Sequence, residues 1–180
     1  MRSQKNNSPM VRVYDVIPKE FCDTLIDAFE NTQDGHEYIN NEYKPCFTQL
    51  NVNQHHPELV KSLVNYTQKA YGMYSVDVKN RFLPRLRSLE EFRIKRYLPN
   101  GEERFEEHVD VADHASAKRA LAFLFYLNDN DGDTLFTSEE LYIRPRSGKV
   151  LVFPPTWEYP HAGLAPSTTK YIMSTYIHYG

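Results

Sequence analysis

A chain of 180 residues, 41% hydrophobic and 25% charged, suits one domain with a full buried core. Its formal net charge of −3 gives no global field for a polyanion, which disfavours nucleic acid as the main partner. Thirteen tyrosines and ten phenylalanines fit a pocketed β-structure, with ring bodies buried and hydroxyls reaching polar ligands.

Residues 1–10 contain no apolar stretch of signal-peptide type and read as a disordered lead-in. No later segment is long and apolar enough to span a bilayer, so no membrane partner is expected. Val11 to Ile17 reads as a strand. Pro18 then suits the first position of a helix, which Phe21, Leu25, Ile26 and Phe29 carry at helical spacing to Asn31. The only cysteines, Cys22 and Cys46, form neither a metal-spacing motif nor a disulfide framework, and a reduced cytoplasm is the simplest home. Residues 36–53 are polar and aromatic, with room for one or two strands. His55-His56 marks the start of a second helix. Pro57 opens that helix, and its apolar stripe runs through Leu59, Val60, Leu63, Val64 and Tyr71 to about Val78.

From Glu90 the pattern changes to strands and turns. Strands are predicted over 91–97, 105–110, 119–128, 134–137, 141–143, 149–153 and 171–178, with Asn100-Gly101 as a turn signal. Helices first and a long antiparallel run after give an α+β class. Residues 11–180 form one unit: helical support over 11–88 packs outside a jelly-roll core over 89–180.

His108 and Asp110 stand two apart on a predicted strand, so both side chains project from one face. A third ligand must come from another strand, and His161 follows the apolar run 150–153. Two imidazoles and a carboxylate can cap one face of an octahedral ferrous ion, leaving the opposite face open. Lys170, nine residues after His161, shares a strand face with Ile172, Ser174 and Tyr176. An inward lysine needs an anion. The plain alternative makes His161 a loop histidine and Lys170 a solvated strand-end charge.

The ordered pieces Phe92-Arg-Ile-Lys-Arg-Tyr97, Phe105-Glu-Glu-His108-Val-Asp110, Leu124-Phe-Tyr126-Leu-Asn128-Asp129 and Gly132-Asp-Thr-Leu-Phe136 precede two more. These are Arg144-Pro-Arg-Ser-Gly148-Lys-Val-Leu-Val-Phe153-Pro154 and Pro160-His161 through Lys170-Tyr171. The set resembles the prolyl 4-hydroxylase branch of the Fe(II)/2-oxoglutarate dioxygenases, and the resemblance covers most of the chain. It implies a double-stranded β-helix, the cofactors Fe(II), 2-oxoglutarate and O2, and ascorbate as an auxiliary reductant. It implies His108, Asp110 and His161 as iron ligands. Lys170 would pair with the distal carboxylate of 2-oxoglutarate, where many relatives carry arginine. Tyr97, Tyr126 and Ser174 would complete the co-substrate site.

The implied reaction hydroxylates a C–H bond, most naturally of a peptidyl proline, and releases succinate and CO2. An intact Asp110 favours hydroxylation over halogenation. Leu135 and Phe136 are expected as apolar walls, and Trp157 and Tyr176 as further substrate-pocket residues. Strand alternation puts Lys95 and Arg93 on the face of Tyr97, where they either form a charged mouth for a polar or acidic substrate or sit at a solvated edge.

A nucleic-acid demethylase of the same superfamily is disfavoured, because the last arginine, Arg146, precedes His161. Hydroxylation of a free amino acid or small metabolite stays open. A catalytically silent jelly-roll binding module is the alternative from a different class.

Overall fold

The computed structural model describes residues 8–41 and 44–179. In chain order the elements are β1 (Arg12–Asp15), α1 (Lys19–Asn31), β2 (Glu37–Asn41), β3 (Lys44–Asn51), the single turn α2 (Val52–His55) and α3 (Pro57–Val78). Then follow β4 (Arg93–Tyr97), β5 (Phe105–His108), β6 (Arg119–Tyr126), β7 (Thr134–Phe136), β8 (Leu141–Ile143), β9 (Lys149–Phe153), β10 (His161–Gly163) and β11 (Lys170–His178). Pro57 is the first residue of α3, where a missing N–H costs nothing. Pro18 instead caps α1 from one position earlier. His55 closes α2 and His56 caps α3, so the histidine pair marks a junction between two helices.

The strands form two antiparallel sheets. The major sheet runs β1-β9-β6-β11-β4-β3-β2 and the minor sheet β5-β10-β7-β8. Helix α1 buries Cys22, Leu25 and Phe29, and α3 buries Leu63, Thr67, Ala70 and Tyr74, one stripe each. Both stripes pack on the outer face of the major sheet, against Ile94, Phe123, Phe125, Val150, Val152 and Met173. Its inner face, with Tyr97, Ala122, Tyr126, Leu151, Phe153 and Ile172, packs toward Phe136 and Ile143 of the minor sheet. Strand β6 is therefore covered on both sides, which is why its sequence is apolar on both faces after the opening Arg119. Each fully buried phenylalanine or leucine in these layers contributes about 1.5–3 kcal/mol.

Two expectations are corrected. Ser8 and Met10 are packed, not part of a lead-in: the Ser8 hydroxyl donates to Glu139 Oε1 (2.9 Å), and the Met10 carbonyl accepts from the Tyr74 hydroxyl (2.9 Å). Residues 1–7 of that lead-in lie outside the described residues. The segment 11–88 is also more than helical support, because β1 extends the major sheet beside β9 and the β2–β3 hairpin extends it beside β4. Among the described residues no helix is long and apolar enough to cross a membrane.

Candidate metal centre

Strand β5 ends at His108 and β10 begins at His161, and the two residues are direct partners across the minor sheet. Their rings lie 4.3 Å apart between centroids. Asp110 follows two residues after β5 ends. Its N–H donates to the Pro155 carbonyl (3.1 Å), and its own carbonyl accepts from the Arg119 guanidinium (2.9 Å). The pair His108 and Asp110 therefore meets His161 from far along the chain, and the ligand atoms of all three lie within 4.8 Å of one another.

Both imidazoles are held in one tautomer. His108 Nδ1 faces the Glu106 carbonyl (2.8 Å) and His161 Nδ1 faces the Tyr159 carbonyl (3.0 Å). A carbonyl only accepts, so each Nδ1 carries the proton and each Nε2 keeps its lone pair. Those Nε2 atoms point at the Asp110 carboxylate, each 3.6 Å from one of its oxygens. Phe105 stacks on His108 at 3.5 Å, and Phe153 meets His161 edge-on at 4.8 Å.

Burial alone would raise the Asp110 carboxyl, but the two imidazoles and the Tyr176 hydroxyl hold it down at about 2. Burial lowers His161, against the pull of Asp110. The cluster thus presents an ionised carboxylate and a neutral imidazole to a cation. The Tyr176 hydroxyl donates to Asp110 Oδ1 (2.9 Å), and its ring lies under the Arg119 guanidinium at 4.2 Å. Arg119 in turn pairs with Glu90 (2.8 Å), which His178 also contacts (2.9 Å). His178, the last position of β11, is therefore tied into the site's support.

A cavity opens beside the triad, lined among others by Tyr97, Thr134, Gly163, Lys170, Ile172 and Ser174. Lys170 is 1% exposed, and its ammonium donates to the Gly132 carbonyl (2.7 Å) and lies 5.1 Å from the Tyr97 ring. Burial pulls it down to about 8, against the opposing fields of Asp133 and Asp131. Tyr97 is buried, and its hydroxyl makes no hydrogen bond among the described residues. Lys95 and Tyr176 line the same cavity, while Arg93 lines only the groove outside it.

Three site expectations change. Tyr126 does not line the cavity; its buried hydroxyl donates to Thr134 (2.8 Å), and Thr134 takes the cavity position. Leu135 is absent from the lining because alternation in β7 turns Thr134 and Phe136 inward and Leu135 outward. Trp157 is 79% exposed on the loop before β10 and lines neither the cavity nor the groove. Sequence reasoning missed Thr134, whose signal was its even spacing from Phe136. It also missed Arg119, the single charge opening an otherwise apolar strand.

Residues 92–178 match the sequence profile of the 2OG-Fe(II) oxygenase superfamily. This span is a 2OG-Fe(II) oxygenase domain. The oxygenase is also similar in structure to the viral collagen prolyl hydroxylase of Paramecium Bursaria Chlorella virus-1, solved with 2OG. That likeness has a TM-score of 0.72 at 20% identity, over 95% of this chain and 97% of that one. A Pseudomonas putida prolyl-4-hydroxylase gives 0.74 at 14% identity, over 94% and 92%. A Trichoplax adhaerens prolyl hydroxylase, in complex with a hypoxia inducible factor oxygen degradation domain peptide fragment, gives 0.75 at 14% identity, over 96% and 84%. At these identities the likeness establishes the shared fold, the double-stranded β-helix. A search of curated protein sequences finds no match.

The oxygenase is a dioxygenase that uses Fe(II), 2-oxoglutarate and O2. The residues present fit those groups. Two imidazoles and one carboxylate with an open side suit non-haem Fe(II). Lys170, with one acceptor for three N–H donors, and the unbonded Tyr97 hydroxyl suit an acidic co-substrate.

Proposed function

We propose that the oxygenase hydroxylates a proline within a peptide. In this reading His108, Asp110 and His161 hold Fe(II), and Lys170 holds the distal carboxylate of 2-oxoglutarate, with Tyr97, Thr134 and Ser174 completing that pocket. The bound metal and co-substrate supply the oxidising chemistry: one atom of O2 goes to the substrate C–H bond and the other to succinate, with loss of CO2. The Nδ1–H bonds to Glu106 and Tyr159 keep both Nε2 atoms available. Tyr176 holds the Asp110 carboxylate, Arg119 holds the Asp110 backbone carbonyl, and the aromatic walls exclude water.

The observation that carries the reading is a groove of about 740 Å3 leading off the triad. It shares Lys95, Phe105, Asp110, Ser174 and Tyr176 with the inner cavity. Pro45, Phe47 and Phe105 give it an apolar wall suited to a pyrrolidine ring, and its length is open to solvent, as an extended peptide requires. The relatives named above are prolyl hydroxylases, one of them solved with a peptide fragment, which supports the same reading.

Anaerobic addition of Fe(II) and 2-oxoglutarate should produce a visible metal-to-ligand charge-transfer band that Asp110→Ala abolishes. Under air, a proline-peptide library screened by mass should show gain of one oxygen. Oxygen gain on free amino acids alone overturns the peptide reading, and absence of both band and succinate overturns the site assignment.

A further inference from the structure

The groove contains a cation that the chemistry so far does not use. Lys95 stands on β4 opposite Ile172 of β11 and Gln49 of β3. Its side chain lines both the inner cavity and the outer groove, at the point where the two join. The ammonium lies 5.0 Å from the Phe47 ring centroid and 5.9 Å from that of Phe105. Among the described residues it makes no hydrogen bond and no ion pair.

Its neighbours show why this matters. Glu90 is taken by Arg119 and His178, and Glu91 by Arg93 and Asn51. Asp113, on the exposed loop, is bonded by Ser116. Asp110 faces the two imidazoles and Tyr176, and a metal would claim its charge. The groove's other cations are Arg93 and Arg119, both paired, and Lys118, which is exposed. Lys95 alone is partly buried and unmatched among the described residues. Burial lowers it toward about 8, with Asp110 opposing, so most of it stays protonated at neutral pH. Two aromatic faces stabilise a cation in part but offer no hydrogen-bond acceptor in line with its N–H groups.

We infer that Lys95 is a specificity residue that binds a carboxylate of the substrate beside the reacting carbon. This rests on reading the groove as the substrate site. The carboxylate is either an acidic side chain adjoining the target residue or the α-carboxylate of a terminal or free amino acid. Either would sit with its charge on Lys95 and its carbon chain against Phe47 and Phe105.

The test uses charge pairs on the Fe(II)·2-oxoglutarate holoenzyme, with binding measured without oxygen and mass gain measured with it. The probes are acetyl-Ala-Asp-Pro-Ala-amide and acetyl-Ala-Pro-Asp-Ala-amide, each against its Asn counterpart, and proline against prolinamide. One acid should bind at least about tenfold tighter than its amide. Whether that acid is a peptide or free proline identifies the source of the carboxylate. Lys95→Met should bring the ratio to about one, and Lys95→Glu should invert it, with 2-oxoglutarate affinity read in parallel. The inference is overturned if no acid outbinds its amide, if the preference survives in Lys95→Met, or if the variant changes only 2-oxoglutarate binding. Acid-selective binding without oxygen gain overturns the prolyl reading and leaves the carboxylate site standing.

Discussion

Replacing Lys170 by methionine should move stability and co-substrate binding in opposite directions. The ammonium is fully buried and falls from 10.5 to about 8, so keeping it charged in the fold at neutral pH costs about 3 kcal/mol. The variant relieves that cost but leaves the Gly132 carbonyl without its donor, a loss of about 1–2 kcal/mol. Methionine keeps the length and apolar contact against Tyr97. The ligand-free variant should therefore be more stable by about 1–2 kcal/mol, at about 2–4 °C of melting temperature per kcal/mol for a chain of this size. Binding of 2-oxoglutarate loses its counter-charge in a buried site, about 3–5 kcal/mol, and should weaken about 10²–10⁴-fold. Thermal melts with metal present, with and without 2-oxoglutarate, separate the two effects. At about a hundred times its dissociation constant the ligand adds about 2.7 kcal/mol to the parent, and none of this should appear in the variant. The folded pKa lies below the unfolded one, so the penalty is full below about pH 8 and fades as pH rises toward 10.5. The stability gap between variant and parent should close over that window and then reverse, since the lost bond to the Gly132 carbonyl remains. A variant that melts below the parent and still gains from 2-oxoglutarate would refute the reasoning.

The same lysine sets a pH dependence on binding: 2-oxoglutarate affinity should hold steady below about pH 8 and weaken above it, as calorimetric titrations across pH 6.5–9.5 (roughly the span bracketing that value) would show. Constant affinity up to the top of that range would detach the ligand from Lys170. Tyr176→Phe keeps the ring under Arg119 but removes the donor to Asp110, and metal affinity should fall about 10–100-fold with little change in melting. Unchanged metal titrations would deny the hydroxyl that role. Gly148 has φ +84°, and a Cβ there would drive into the Ile17 carbonyl oxygen. The Gly148 carbonyl also receives the Val16 and Ile17 N–H groups. Gly148→Ala should cost about 3 kcal/mol or more, about 6–12 °C, and an unchanged melt would contradict the crowding.

Much of this was legible in the sequence because it is local. Pro57 and the stripe through Leu63 mark α3, and period-two alternation puts Lys170, Ile172, Ser174 and Tyr176 on one face of β11. All four line the cavity. The hairpin β2–β3 was less legible because β2 is an edge strand with little buried, so no apolar alternation announces it. Leu135 shows how a short strand defeats the pattern: three residues of β7 cannot fix which phase faces inward until the pairing with β10 is known. Trp157 misled by closeness in sequence, since the loop that carries it turns outward before β10 brings His161 in. The pairing of His161 with His108 joins residues more than fifty positions apart and could be suggested only by resemblance.

The structure also explains why the triad needs more than its own strands. His108 and His161 belong to the minor sheet, where the strands carrying them have four and three residues. Lys170 and Tyr97 belong to the seven-stranded sheet and pair directly in its ladder. The two histidines and Lys170 thus hang from different sheets, and ladder bonds alone cannot fix one relative to the other. Asp110 is where the two are tied. Tyr176 from β11 holds its carboxylate and Arg119 from β6 holds its carbonyl, while Glu90 pairs with Arg119 and contacts His178 of β11. These bonds run from the rigid sheet to the short one, and Phe153 of β9 adds an aromatic contact on His161. The place of Asp110 just past the end of β5 leaves its backbone free of the ladder, so its N–H can go to Pro155 and its carbonyl to Arg119. A carboxylate inside the strand would spend those groups on its neighbours and leave the two sheets coupled by apolar packing alone.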